Sequence, residues 1–332
     1  MTVAKLGEHA LLARIRSKLP RSRSDVLIDI GDDAAIVDVA RNEQTVLTTD
    51  ALVEDVHFCR QWSSPGDIGH KALAVNLSDL AAMGATPRWV LLSLVLPGQC
   101  AVEDVEELVA SLGALAQAHG LSVVGGNLAR TDGPMVVDVT AIGTVRPRRA
   151  LSRSGGRPGD DLYVSGTIGA AAAGVEMLRE RAPADDADLA CLSRHRRPEP
   201  RVALGLAMGR ARAVRAAMDL SDGLADAVRQ VASASACGAI VEASALPIDP
   251  GAARWWQQRG RDAVLSAVAG GDDYELLLAA PPAWRGRLRA ARRHAGTPAL
   301  TRIGVLTKDR ETVIERNGQH EALPESYEHY RC

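Results

Sequence analysis

The sequence predicts an α/β protein built from two domains. Short runs rich in Val, Ile and Leu, suited to strands, alternate with helical segments in both halves of the chain. A basic stretch rich in Gly and Pro, from Arg146 to Gly159, interrupts that alternation and separates residues 1–148 from 149–332. The length of 332 residues suffices for two domains of ordinary size. Apolar residues make up 46% and aromatics only 3%, so Ala, Val and Leu must fill the core.

The first half opens with a short amphipathic helix, Glu8 to Leu19. Val26 to Ile30 reads as a strand running into Gly31-Asp32-Asp33, and β-branched Thr45 to Thr49 as another, ending at Asp50. Ser64-Pro65-Gly66-Asp67 is a helix start, with Ser as N-cap, Pro in the first position and Asp in the first turn. That helix runs to about Met83, and Gly84 stops it. Arg88 to Leu96 suits a strand, Val102 to His119 a helix, and Leu121 to Val124 and Met135 to Val145 two more strands. Beyond the basic stretch come a strand (Asp161 to Ser165), a Gly-rich turn and an Ala-rich helix (Ile168 to Arg181). Val202 to Arg212 is a predicted helix, and Ala216 to Leu220 a strand feeding a helix from Asp222 to Ala234. Tyr274 to Ala279 is a predicted strand, Pro282 to His294 a helix, and Leu300 to Leu306 and Thr312 to Glu315 are late strands.

The bulk properties exclude several classes. A net charge of −2 makes no large basic field for nucleic acid or an anionic membrane. The scarcity of aromatics argues against a base-stacking surface. Five cysteines, Cys59, Cys100, Cys191, Cys237 and Cys332, show no C-x-x-C spacing and read as reduced thiols. Met1 to Leu19 has no apolar run of signal-peptide type, and no segment is long and apolar enough to span a bilayer. The expected setting is the cytoplasm.

Chemistry concentrates in four acidic clusters, Gly31-Asp32-Asp33, Thr48-Thr49-Asp50, Asn76-Leu77-Ser78-Asp79 and Asp219-Leu220-Ser221-Asp222-Gly223. Each is expected where a strand or helix begins or ends. Hard divalent cations such as Mg2+ prefer such carboxylate and hydroxyl oxygens, with water and substrate phosphates completing the shell. The chain lacks the Gly-x-x-x-x-Gly-Lys-Ser/Thr phosphate loop, so bound phosphates need another source of neutralisation.

Each cluster also has a bland reading. Gly-Asp pairs form turns, and Thr48-Thr49-Asp50 could do no more than end a strand. On the helix from Pro65, Leu73, Leu77, Leu80 and Gly84 form a core-facing stripe, while Asn76 and Asp79 share another face with Ala72 and Met83. A lone carboxylate among small and apolar neighbours needs a partner, which favours a ligand over a solvated Asp79. Ser221 or Asp222 could cap the next helix, but a cap needs one such residue, not three. Asp219 and Ser221 alternate and point to one side of a strand. Gly125-Gly126-Asn127 and Gly270-Gly271-Asp272-Asp273 suit close backbone approach to a ligand. Gly166-Thr167-Ile168-Gly169 could cradle a phosphate at a helix start, or serve as an ordinary turn. His57 and Lys71 carry no signal on their own.

Taken together the set resembles the thiamine-monophosphate kinase family, a branch of the aminoimidazole-ribonucleotide-synthetase-like ATP-binding superfamily. The likeness is carried by Ile30–Ala34, Thr48–Asp50, Val53–Phe58, Lys71–Ala85, Ala150–Gly155, Met218–Leu224, Gly270–Leu276 and Tyr327–Tyr330, in the family order. The resemblance implies two α/β domains, the second a larger mixed one, with dimerisation through the N-terminal sheet. It implies Mg2+ ligation by Asp33, Thr48, Thr49, Asp50, Asp79, Asp219 and Asp222, and at position 127 by Asn127. It implies ATP contacts from Gly126, Asn127, Arg153 and Ser221, and substrate contacts from His57, Asp272 and Tyr327. Two positions depart from the family pattern: Asn127 stands where Asp is usual, and Asp272 where Glu is usual.

The implied reaction moves the γ-phosphoryl of ATP onto thiamine monophosphate, giving thiamine diphosphate and ADP in a homodimer with several Mg2+ ions. The acceptor is a phosphate monoester with a second pKa near ~6, so no general base is required. No Ser-His-Asp or Cys-His arrangement stands out in the chain. Competing readings are a hydrogenase-maturation relative, since the chain ends in Cys332, a selenophosphate synthetase, which needs an early reactive Cys, and a paralogue that binds ATP or thiamine phosphates without turnover.

Overall fold

The computed structural model describes residues 1–30, 34–181, 185–296 and 298–326. The chain divides into two compact units, residues 1–80 with 86–147, and residues 81–85 with 148–332.

The first unit contains α1 (Val3–Leu6), α2 (Glu8–Lys18), β1 (Val26–Ile28), β2 (Ile36–Val37), β3 (Gln44–Val53), α3 (Pro65–Ala82), β4 (Thr86–Pro97), α4 (Val102–Ala118), β5 (Ser122–Thr131) and β6 (Val136–Val145). Four strands form one sheet in the order β3-β6-β4-β5. β4 and β5 are parallel and their connection is α4, the crossover that a parallel pair requires. One face of the sheet is buried through Leu52, Leu92, Leu94, Val137 and Val139, and α3 and α4 contribute Leu73, Leu77, Leu80, Leu108 and Leu112 to the core. The helices approach closely: a Cβ on Gly69 of α3 would lie 2.0 Å from the Leu108 carbonyl oxygen of α4. Leu47, on the opposite face, is 68% exposed.

The second unit contains β7 (Asp161–Ser165), α5 (Ala170–Glu180), α6 (Asp186–Arg196), α7 (Val202–Ala211), β8 (Ala216–Asp219), α8 (Leu224–Ala234), β9 (Gly238–Glu242), α9 (Pro250–Gln258), α10 (Ala263–Ala269), β10 (Leu276–Ala280), α11 (Arg285–Ala295), β11 (Leu300–Thr307), β12 (Thr312–Arg316) and β13 (Gln319–Ala322). Its seven strands run β13-β12-β9-β11-β7-β10-β8, antiparallel except for β12 with β9. Every residue of β7, β8 and β10 is buried; β10 is apolar throughout, while β7 and β8 also bury Asp161, Ser165 and Asp219 at their ends. The mixed α/β class expected from the sequence is what the chain adopts.

Several boundaries differ from expectation. β3 extends to Val53 and β5 to Thr131, so Thr48-Thr49-Asp50 and Gly125-Gly126-Asn127 lie inside strands, not at their ends. The long pairing of β3 with β6 and of β5 with β4 carries each strand past its most β-prone core. α1, β2, α6, β9, α9, α10 and β13 had no counterpart in the reading of the sequence. Local cues existed for three of them: Asp185 and Asp188 form a capping box before α6, Asp249 caps α9 ahead of Pro250, and Asp262 caps α10. Cys59, Cys100, Cys191 and Cys237 are buried free thiols. Burial beside Asp249 pushes Cys191 up to about 12, which leaves it unreactive.

Candidate active site

In the first unit, the alternation of β3 places Val46, Thr48, Asp50 and Leu52 on one face and Leu47, Thr49 and Ala51 on the other. The Thr48 hydroxyl donates to the carboxylate of Asp79 on α3. α3 is buried on nearly all sides from Ile68 to Ala82, and Asp79 is one of the half-buried breaks in it. One turn earlier, the buried Asn76 donates from Nδ2 to the Ala72 carbonyl at 3.0 Å. The structure therefore brings Thr48 to Asp79 and keeps Asp50 on the Thr48 face. It separates the Thr49 side chain from them: Thr49 Oγ1 donates to Asp138 Oδ1 at 3.1 Å and lies 3.1 Å from Thr140 Oγ1, on the opposite face.

His57 sits in the turn after β3. Its Nδ1 accepts from the Val53 N–H at 3.0 Å, so a neutral ring carries its proton on Nε2. Lys71, only 3% exposed, donates from Nζ to the His57 carbonyl at 3.2 Å and ties that turn to α3. A buried ammonium needs such acceptors.

Gly125 lies at a bulge in which Val90 pairs with Val123 and Leu91 with Gly125. At Gly126 a Cβ would stand 1.8 Å from the Leu92 carbonyl oxygen, so the close approach there is to β4 itself. Gly126 and Asn127 line a cavity of about 920 Å3 together with Arg16, Ser93, Asp138 and Thr140.

In the second unit two motifs are zipped together. Leu220 N–H donates to the Glu275 carbonyl at 2.9 Å, Tyr274 N–H to Leu220 at 3.0 Å, and Asp272 N–H to Ser221 at 2.7 Å. Asp219 ends β8 with a buried carboxylate, and Ser221 and Asp222 follow, half-buried. The N-cap of α8 is Gly223, with no side-chain cap, so neither Ser221 nor Asp222 serves as the cap that the bland reading assigns to it. Arg153 donates from Nη1 to Gln230 Oε1 on α8.

Within Gly270–Glu275 the three acids separate by role. Asp272 is the partly exposed one, in a left-handed backbone (φ 67°), with the Tyr274 hydroxyl on Oδ1 at 3.2 Å and His195 Nδ1 3.3 Å from Oδ2. Asp273 accepts the N–H groups of Gly169 (2.7 Å) and Ala171 (3.4 Å) and thus occupies the start of α5. Gly166–Gly169 is therefore the ordinary turn of the two readings, its helix N-terminus filled from within. Burial pushes the Asp273 carboxyl up to about 7 despite those N–H donors and the nearby Arg194 charge. Glu275 is fully buried and accepts from Arg201 Nε at 2.7 Å, and also from Arg201 Nη2, Arg194 Nη2 and Ser165 Oγ. Arg194, Arg201 and Ser165 carried no sequence signal, because nothing local links them to Glu275. Asp33 and Tyr327 lie outside the described residues.

Among the described residues no three or more His, Cys, Asp or Glu side chains are grouped to hold a metal. The donors on the Thr48 face are instead a mixed set of hydroxyl and carboxylate oxygens, the chemistry a hard cation such as Mg2+ takes.

This fold belongs to a defined class: residues 31–145 match the N-terminal domain of AIR synthase related proteins and residues 157–317 the C-terminal domain. The chain is 39% identical over 331 residues to the thiamine-monophosphate kinase of Escherichia coli (strain K12), covering 98% of each. Within that class it belongs to the thiamine-monophosphate kinase family. A solved thiamine-monophosphate kinase from Stenotrophomonas maltophilia K279a superposes with a TM-score of 0.83 at 38% identity, over 94% of this chain and 96% of that one. The structure of AaThiL complexed with AMPPCP and TMP gives a TM-score of 0.78 at 30% identity over 99% of both chains.

Proposed function

We infer that this protein is an ATP-dependent thiamine-monophosphate kinase that forms thiamine diphosphate and ADP, the final step in making that cofactor. The observation that carries the reading is the oxygen-bearing face of Thr48, Asp50 and Asp79 in a chain 39% identical, end to end, to a thiamine-monophosphate kinase. The acceptor phosphate is ionised near neutral pH, its second pKa being near ~6, so no residue need remove a proton from it. The obstacle is repulsion between two anionic phosphates. Mg2+, when bound, supplies the countercharge and bridging contacts that such a transfer needs. Asp33, Thr48, Asp50, Asp79, Asp219 and Asp222 are the proposed ligands, while the Thr49 side chain lies on the other face of β3 from Thr48. Gly126, Asn127, Arg153 and Ser221 are the proposed ATP contacts, the Arg153 guanidinium adding positive charge. His57, Asp272 and Tyr327 are the proposed thiamine monophosphate contacts. The left-handed Asp272 backbone and the Tyr274 hydroxyl hold the carboxylate of Asp272 in one orientation.

The exposed Leu47 and Leu91 on the outer face of the first unit's sheet support a homodimer formed through that sheet. Among the described residues no helix is long and apolar enough to cross a membrane. The buried free thiols suit a reducing compartment, and the cytoplasm is the proposed one.

The test is incubation of purified protein with Mg-ATP and thiamine monophosphate, with chromatographic resolution of the products. Thiamine diphosphate and ADP in equal amounts support the kinase. ATP binding without diphosphate contradicts it and leaves a binder of diverged substrate.

A further inference from the structure

Asp272, the carboxylate read above as a thiamine monophosphate contact, is held from two sides within the second unit. Its side chain is 36% exposed, so a ligand can reach it. The Tyr274 hydroxyl donates to Oδ1 at 3.2 Å, and Nδ1 of His195 lies 3.3 Å from Oδ2. The second distance is that of an ion pair, looser than an aligned hydrogen bond. An ionised carboxylate can only accept, so this contact is attractive when Nδ1 carries a proton. The His195 side chain is only 6% exposed, which leaves it to act on a ligand through Asp272.

His195 belongs to the last turn of α6, and α6 is firmly seated. The Asp185 and Asp188 capping box fixes its start. A Cβ on Gly174 of α5 would lie 2.3 Å from the Cys191 carbonyl oxygen, so the two helices meet backbone to backbone one turn before His195. The preceding residue, Arg194, donates from Nη2 to the Asp273 carbonyl at 3.4 Å and to Glu275 Oε1 at 2.5 Å. The end of α6 therefore grips Asp272, Asp273 and Glu275 with two successive side chains. The segment they hold is strained: Asp272 (φ 67°) and Tyr274 (φ 50°) both take the left-handed backbone, which a bulky residue such as Tyr adopts rarely. Such strain persists where the surroundings over-determine it, and it clusters at ligand sites. An Asp carboxylate can turn about two side-chain bonds, so fixing it before a ligand arrives removes that ordering from the cost of binding.

We propose that His195 is a positioning residue for substrate recognition: its Nδ1–H, together with the Tyr274 hydroxyl, presents the Asp272 carboxylate to thiamine monophosphate. The proposal rests on the reading of Asp272 as a substrate contact and adds a residue that none of the motifs contains. His195 carried no signal in the sequence, because it lies far from Asp272 along the chain.

The experiment is steady-state kinetics of the full-length protein, with thiamine monophosphate varied at saturating Mg-ATP and the reverse. Wild type is compared with His195→Leu, His195→Ala, His195→Asn, Asp272→Ala and each His195 truncation combined with Asp272→Ala, with thermal melts to confirm folding. His195→Leu and His195→Ala should raise the KM for thiamine monophosphate about tenfold, the upper end of what ordering one side chain at a binding site costs. The KM for Mg-ATP and kcat should hold. His195→Asn, whose amide nitrogen stands near the place of Nδ1, should recover most of the loss. In the double variants the His195 change should add little to Asp272→Ala, since one residue acts through the other. An unchanged KM for thiamine monophosphate in the folded His195 truncations, with a raised one in Asp272→Ala, overturns the role of His195 and leaves the substrate reading of Asp272 intact. Equal losses for both substrates, no recovery in His195→Asn, additive effects in the double variants, or failure of both truncations to fold mark a structural residue and also overturn it. A wild-type KM in Asp272→Ala, or a wild-type protein that makes no thiamine diphosphate, overturns the underlying reading and the proposal together.

Discussion

The backbone N–H of Asp272 donates to the carbonyl of Ser221 at 2.7 Å. The residue proposed to touch thiamine monophosphate is thereby bonded to the one proposed to touch ATP, within a single unit. The contact depends on Gly271, where a Cβ would lie 2.6 Å from the Ser221 carbonyl oxygen. Gly271→Ala must push the two segments apart, an overpacking cost of about 1–3 kcal/mol. Steady-state kinetics should show kcat/KM falling about tenfold or more for both substrates, since tenfold corresponds to about 1.4 kcal/mol. A loss confined to one substrate would argue that the two segments act independently.

Asp79 joins a buried helix to the Thr48 hydroxyl. Asp79→Asn keeps the shape and removes the charge. We expect kcat at saturating Mg2+ to fall at least about 100-fold, the scale seen when one preorganised stabilising group is deleted. Circular dichroism should be unchanged. Near-normal turnover would contradict a metal role for this carboxylate.

Glu275 holds Arg201 and Arg194 in a buried cluster. Glu275→Ala leaves the nearly buried Arg201 without its main counter-charge, and breaking such a pair costs about 3–5 kcal/mol. Urea unfolding should register that loss. The double variant Glu275→Leu/Arg201→Met should recover a large part of it, because the uncompensated charge is gone. Equal losses in the single and double variants would point to packing as the cause.

Asp273 gives a pH signature. Its folded-state pKa of about 7 stands above the ordinary 3.8, so the folded protein binds this proton more tightly than the unfolded chain does. Its contribution to stability is greatest at acid pH, declines as pH rises through the interval from 3.8 to about 7, and levels off above it. Asp273→Asn removes that decline. Unfolding free energies measured at several pH values should show the variant gaining on wild type as pH rises across this range. Parallel curves would show that Asp273 has the same pKa in the folded and unfolded protein.

Much of the first unit was legible from local pattern. Ser64-Pro65-Gly66-Asp67 announced α3, and the predicted stripe of Leu73, Leu77 and Leu80 is buried. Thr49 is a case the reading of the sequence left grouped with its neighbours, because it ended the strand at Asp50. Alternation separates it from Thr48 and Asp50, and its hydroxyl engages Asp138 and Thr140 instead. The second unit was harder to read. α6 carries charges on most of its surface and buries Cys191, Leu192 and His195, too few positions for a clear helical period. It is held by packing on its neighbours, which no short window of sequence reports.

By itself the sequence determined which oxygen-bearing residues stand in which clusters, and the likeness that identifies the family. These are local properties of spacing and residue type. The tertiary structure alone decided that Asp273 fills the start of α5, that Glu275 is buried against Arg201, Arg194 and Ser165, and that Asp138 shares a row with Asn127. Such pairings depend on strand order and register, which are set by burying one face of each sheet and joining backbone groups distant in the chain.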